Sequence, residues 1–205
     1  MRTLTKEMQK NITPARALEI LKEGNKRFIS NLKINRNLLQ QVNETTNEQN
    51  PFAVIISCMD SRTSAELVFD QGLGDIFSIR IAGNVINDEI IGSAEFGCKL
   101  AGAKIILVLG HTSCGAVKGA VDHAELGHLH CITSKIQRCI PSTRNELAAN
   151  PNLNFMASIT KANVLLGLQD LRTKSPIISK MEQSKEIQII GGIYDLGSGI
   201  VTFLE

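Results

Sequence analysis

Pro51-Phe-Ala-Val-Ile-Ile-Ser-Cys58 is a short apolar run, opened by a proline and β-branched at its centre. Such a run fits a strand buried on both faces, and a parallel sheet covered by helices on each side provides that environment. Three similar runs follow, at Ile76 to Ala82, Lys104 to Leu109 and Glu186 to Gly191. Helical patterns separate them, at Ser64 to Phe69, Ile90 to Leu100, Ala116 to His123 and Ala157 to Arg172. This alternation predicts an α/β fold: a central four-stranded parallel sheet flanked by helices. A last run, Ile200 to Leu204, follows the loop Tyr194 to Gly199, which carries Asp195, Gly197 and Gly199. That loop suits a hairpin, so a fifth strand is expected antiparallel to its neighbour. Gly191-Gly192 is read as allowing close packing near a strand end.

Before the first run, Thr13-Pro14 marks a helix start, with Thr13 as the cap and Pro14 at the first helical position. Ala17, Leu18, Leu21, Asn25 and Phe28 then share one face, and the polar stretch Asn31 to Asn50 reads as a partly helical connection. The expected division is a helical arm over 1–50 and an α/β domain over 51–205. A chain of 205 residues, 43% hydrophobic, can bury such a core. The net charge of +2, with no basic block, gives no footing for nucleic acid or an anionic membrane surface. No secretory core or membrane span is visible near the start. Five cysteines, an odd number, argue against a disulfide framework and for a reducing, cytoplasmic setting.

Ligands of parallel-sheet proteins sit beyond the carboxyl ends of the strands. Cys58-Met-Asp60-Ser-Arg62 follows the first strand and His111-Thr-Ser-Cys114 follows the third. If those strands are neighbours, the two segments converge. Cys58, His111 and Cys114 supply two sulfurs and one nitrogen, a donor set suited to tetrahedral zinc with one exchangeable position. Two thiolates and an imidazole leave the bound metal formally neutral, and zinc acidifies a coordinated water. Asp60 can either bind the metal or accept a hydrogen bond from the metal's hydroxide. Arg62 can hold Asp60 away in a charge-assisted pair.

The chain resembles the β-class carbonic anhydrases. The resemblance rests on Cys58-x-Asp60-Ser61-Arg62 and His111-Thr112-x-Cys114-Gly115-Ala116, and it continues through Gly72-Leu-Gly-Asp75-Ile-Phe77 and Arg80-Ile-Ala-Gly83-Asn84. Ala17 to Phe28 and Ile193-Tyr194-Asp195 extend it over nearly the whole chain. It implies reversible hydration of carbon dioxide to bicarbonate, with Zn2+ on Cys58, His111 and Cys114. Asp60 and Arg62 would form the catalytic dyad, with Asp60 a fourth ligand only in a closed state. Gln49, Phe77 and the Gly115 amide would contact substrate, the first two as in a plant-like subgroup. The resemblance further implies a homodimer or homotetramer, an N-terminal helix packed on the partner, and a cleft shared between copies. Met59 stands where the family usually has a small residue, and Thr63 where it often has valine. Ile55 replaces the tryptophan of an allosteric subgroup.

Two rival readings stay open from sequence: a hydrolase of carbon disulfide or carbonyl sulfide using the same zinc, and a non-enzymatic zinc-binding or regulatory protein. His123, His128, His130 and Cys131 could imitate a second metal site, but read as a polar loop after a helix. Cys98 reads as core, and Cys139 carries no partner signal. Gly72-x-Gly74 is too short for a dinucleotide loop.

Overall fold

The computed structural model describes residues 3–150 and 152–204. Its centre is a five-stranded sheet of β1 (Ala53–Ser57), β2 (Ile76–Arg80), β3 (Ile105–His111), β4 (Gln188–Tyr194) and β5 (Val201–Leu204), in the order β2-β1-β3-β4-β5. The first four strands are parallel, and β5 runs antiparallel to β4. Around it lie α1 (Lys6–Asn11), α2 (Pro14–Ile29), α3 (Leu38–Glu44), α4 (Ala65–Val68), α5 (Asp88–Glu95), α6 (Gly115–Val121), α7 (His130–Gln137), α8 (Ile140–Ala149), α9 (Phe155–Lys174) and α10 (Pro176–Gln183).

The β1 run is buried throughout, because helices cover both faces. Ala53 and Ile55 join Ile105, Leu107 and Leu109 under Ala17 and Leu21 of α2. Val54 and Ile56 join Ile106 and Val108 under α5, α9 and α10. Each fully buried aliphatic side chain of this kind contributes about 1.5–3 kcal/mol relative to exposure. A third cluster, with Val117, Ile136 and Ile159, lies against Cys58 and Cys114. The Cys58 and Cys114 sulfurs thus sit at the floor of a packed layer.

Close approach needs small residues at two places. A Cβ on Gly24 would lie 1.8 Å from the Phe69 carbonyl oxygen, so α2 seats there only with glycine. A Cβ on Gly191 would meet Val164 at 2.8 Å, so α9 lies close over the middle of β4 rather than over a strand end. The arm is fastened by charge as well. Asp70, buried at the end of α4, accepts hydrogen bonds from Arg27 Nε and Arg36 Nη1 and from the Ile34 amide.

Several elements differ from the sequence expectation. The polar stretch near the start contains α1, capped by the Thr5 hydroxyl, and its Gln9 reaches the Pro51 and Ala101 carbonyls. His130 and Cys131 open α7 instead of lying in a loop, and α8 and α10 follow further on. The helix expected at Ile90 to Leu100 ends as a π-type turn over Phe96–Leu100, with Cys98 buried in it. β3 extends through His111, because Gly110 and His111 pair with Ile193 and Tyr194.

Candidate metal centre

β1 and β3 are neighbours, and Ser57 is level with Leu109. Cys58 leaves the sheet just as β3 delivers His111, two residues above Leu109. After His111 the chain turns through Ser113, at φ 55°, and starts α6 with Cys114 as its cap residue. One ligand atom from each of Cys58, His111 and Cys114 lies within 4.8 Å of the others, and all three residues are buried.

The chemistry of this group fits a soft divalent metal. The two sulfurs are 3.9 Å apart. The His111 Nδ1–H donates to the Thr112 carbonyl at 2.9 Å, which leaves Nε2 as the free lone pair. That Nε2 is buried without a hydrogen-bond partner. An orphaned buried acceptor facing two thiols is costly unless a cation completes it. The Cys114 thiol, the His111 ring and the Asp60 and Gly83 amides all favour the Cys58 thiolate, drawing its pKa down to about 4 against the effect of burial. Cys114 is pushed up, chiefly because a second negative charge beside Cys58 is opposed, and then by burial. Burial alone would lower His111, but the adjacent Cys58 thiolate raises it. Cys58 and Cys114 could both be thiolates with a dication held between them, which would remove that conflict.

Asp60 is not part of the ligand group. Its carboxylate accepts from Arg62 Nε at 2.9 Å, Arg62 Nη2 at 2.7 Å and the Arg62 amide at 2.9 Å. Arg62 holds the Asp60 carboxyl well below the usual carboxylate range. Asp60 is therefore ionised and turned to Arg62.

Behind the ligands lies a supporting layer that sequence reasoning did not assign. The Gly83 amide donates to Cys58 Sγ at 3.3 Å. Gly83 sits at φ 65°, and a Cβ there would lie 2.7 Å from Ile136. Its carbonyl accepts from Asn163 Nδ2 of α9 at 2.8 Å. Arg80 Nε donates to the Cys58 carbonyl at 3.2 Å. Arg80 and Gly83 belong to a motif that resembles the family's, so a signal existed. Asn163 gave none.

The substrate-side residues divide. Gly115 opens α6, exposed, with nothing within 4 Å of where a Cβ would be. It lines a hollow of about 440 Å3 with Cys114, Ser113, Lys118 and Thr160. Phe77 packs edge-on against Phe96, with ring centroids 6.1 Å apart, beside a different hollow of about 430 Å3. Gln49 is exposed near Leu73 and Gly74 in a third. Neither of those hollows includes a ligand of the metal group. His130 Nε2 meets Cys131 Sγ at 3.4 Å, but among the described residues these two join no group of three metal donors.

Comparison with known proteins points the same way. The family model described as carbonic anhydrase matches residues 53–201. Carbonic anhydrase 2 of Mycobacterium tuberculosis is 34% identical over 194 residues, covering 92% of each chain. The carbonic anhydrase of Mycolicibacterium smegmatis is 32% identical over 194 residues, covering 93% of each. Among solved structures, the β-carbonic anhydrase CafA of Aspergillus fumigatus superposes with a TM-score of 0.72 at 26% identity, over 93% of this chain and 90% of that one. With the zinc donor set, the parallel sheet that assembles it and relatives along almost its full length, the chain belongs to the carbonic anhydrase family, in its β class.

Proposed function

We propose that the chain catalyses the reversible hydration of carbon dioxide to bicarbonate and a proton, with zinc held by Cys58, His111 and Cys114. The observation that carries this reading is the orphaned His111 Nε2 facing two sulfurs, beside a carboxylate that Arg62 holds off. The metal, when bound, acidifies a coordinated water and so makes a nucleophile available near neutral pH. Asp60, ionised and fixed, accepts a hydrogen bond from that nucleophile and aims it. Arg62 keeps Asp60 from closing the site. The Gly115 amide, at the mouth of the hollow beside Cys114, helps place a substrate oxygen.

Gln49 and Phe77 join this site from a second copy, as homodimer or homotetramer. Their separation from the ligands within one chain supports this, as do the exposed side chains Phe96 and Leu100 on the Phe77 side. Residues 1–50 act as an arm and 51–205 as the catalytic domain. α2 and the Asp70 pairs hold the arm to its own sheet, while Leu32, Leu38 and Leu39 face outward for the partner. A cytoplasmic setting is supported by five cysteines that are all free thiols. Among the described residues no helix is long and apolar enough to cross a membrane.

Stopped-flow carbon dioxide hydration tests the reading. Zinc-loaded protein should turn over, and chelation or His111→Ala should abolish the rate. A zinc-replete chain with no hydration activity removes the proposal.

A further inference from the structure

We propose that Thr63 is a positioning residue for the dyad: its hydroxyl holds the turn that keeps the Asp60 carboxylate facing Arg62 and off the metal position. The inference rests on the function proposed above and deepens it. The segment between β1 and α4 has a demanding task. It presents a ligand sulfur at Cys58 and, two residues on, a carboxylate that must stay near the metal without binding it. No regular element holds it, so side chains must.

Two side chains clamp the turn. The Thr63 hydroxyl lies 3.0 Å from the Cys58 carbonyl and 2.9 Å from the Asp60 carbonyl, and shares its single proton between them. Arg80 reaches the same two carbonyls from the other side, at 3.2 Å and 2.5 Å. The Thr63 amide also donates to the Asp60 carbonyl at 3.0 Å. The two clamps are not equivalent. Arg80 is exposed, so water can take over its bonds, whereas Thr63 is 1% exposed and its hydroxyl has no such substitute.

The backbone of this turn decides where the carboxylate points. Asp60 Oδ1 is bound by the Arg62 amide as well as by the guanidinium, so the carboxylate is tied to its own turn. Rotation at Asp60 breaks those bonds together and frees a competent zinc ligand two residues from Cys58. Valine, which the family often carries at this position, would fill the same space with no donor. In this chain the hydroxyl therefore biases the gate toward the open arrangement.

The test is azide binding to the Co2+-substituted protein, followed in the visible bands, because azide needs the exchangeable position. Hydrogen exchange of the Arg62 and Thr63 amides is measured alongside, with and without metal. Thr63→Val should keep one metal per chain, bind azide about fivefold more weakly, the scale of one hydrogen bond, and exchange both amides faster. Thr63→Ser should restore both values. Equal azide affinity in Thr63→Val and the wild type overturns the proposal, as does a Thr63→Ser variant that fails to restore it. Loss of metal from Thr63→Val also overturns it, by assigning the hydroxyl to Cys58 alone. If Thr63→Val does not fold, Thr63→Ala, which also lacks the donor, is measured in the same way, and unchanged azide affinity there is equally decisive. None of these readings needs turnover, so a wild-type chain that binds azide but does not hydrate carbon dioxide overturns the function and not the clamp.

Discussion

Asn163→Ala is the perturbation that best separates the ligands from the scaffold that aims them. Asn163 is 4% exposed, lies on α9 and touches no ligand; its amide donates to the Gly83 carbonyl, and the Gly83 amide donates to Cys58 Sγ. Truncation removes one buried hydrogen bond, leaves the Gly83 carbonyl without that donor, and opens a small void. The lost bond and the unsatisfied carbonyl together cost about 2–3 kcal/mol. For a chain of this size that lowers the Tm by about 5–10 °C. The second effect concerns zinc. Partners behind first ligands are worth roughly 10–100-fold in metal affinity, and Asn163 acts through one intervening residue, so about tenfold is expected. Thermal unfolding of zinc-free protein measures the first quantity, and competition against a chromophoric chelator measures the second. Thr143→Val is the control: the Thr143 hydroxyl is also buried, bonds to the Cys139 carbonyl at 2.8 Å and supports no ligand. It should lower stability without changing zinc affinity. If Asn163→Ala loses stability yet binds zinc as tightly as the wild type, the relay from α9 through Gly83 to the sulfur is wrong.

Replacing Cys58, His111 or Cys114 by alanine should each remove most bound zinc; elemental analysis showing full occupancy strikes that residue from the ligand set. Arg62→Ala should retain zinc while hydration collapses, since Asp60 is released to take the fourth position, whereas Asp60→Ala should keep residual activity that grows at high pH. A crystal structure of Arg62→Ala with Asp60 still turned away and water on the metal refutes the gate. Cys98→Ser and Cys139→Ser should leave zinc content intact, because both are buried apart from the Cys58, His111 and Cys114 group; metal loss in either reassigns the site. Burial raises the Asp70 carboxyl, but Arg27 and Arg36 outweigh it and its net shift is downward from 3.8. Its contribution to stability is therefore complete above about pH 4 and is lost as pH falls through the lower folded value. Asp70→Asn should flatten that acid loss in urea unfolding from pH 7 to 3, and an unchanged slope excludes Asp70 as its source.

Much of this architecture was legible because the strands are short, apolar and buried on both faces, so β1 and β3 stand out from their surroundings. The ligands were legible for a related reason: a parallel sheet puts its chemistry at strand ends, and Cys58 and His111 sit at two of them. The short polar helices were less visible. α1 buries only the polar Gln9, and no apolar period announces it, whereas α3 falls within the stretch read as partly helical without its bounds being marked. α8 buries only Ile140 and Thr143, and His130 looks like loop until the backbone is seen. β3 runs two residues past its apolar run, because that extension depends on pairing to Tyr194, more than eighty residues away in the chain. Asn163 was invisible for the same reason. An asparagine amid a helix is unremarkable until Gly83 is found beneath it.

His111 is the last residue of a paired strand, while Cys58 and Cys114 stand just outside regular structure. The three residues therefore differ in what holds them. The imidazole is held by the sheet ladder and by its own bond to Thr112 whether or not a metal is present. The Cys58 sulfur instead depends on bonds that reach across the fold, from the Gly83 amide to Sγ and from Thr63 and Arg80 to the Cys58 carbonyl. A substitution that loosens this support moves a sulfur and leaves the imidazole where the sheet holds it.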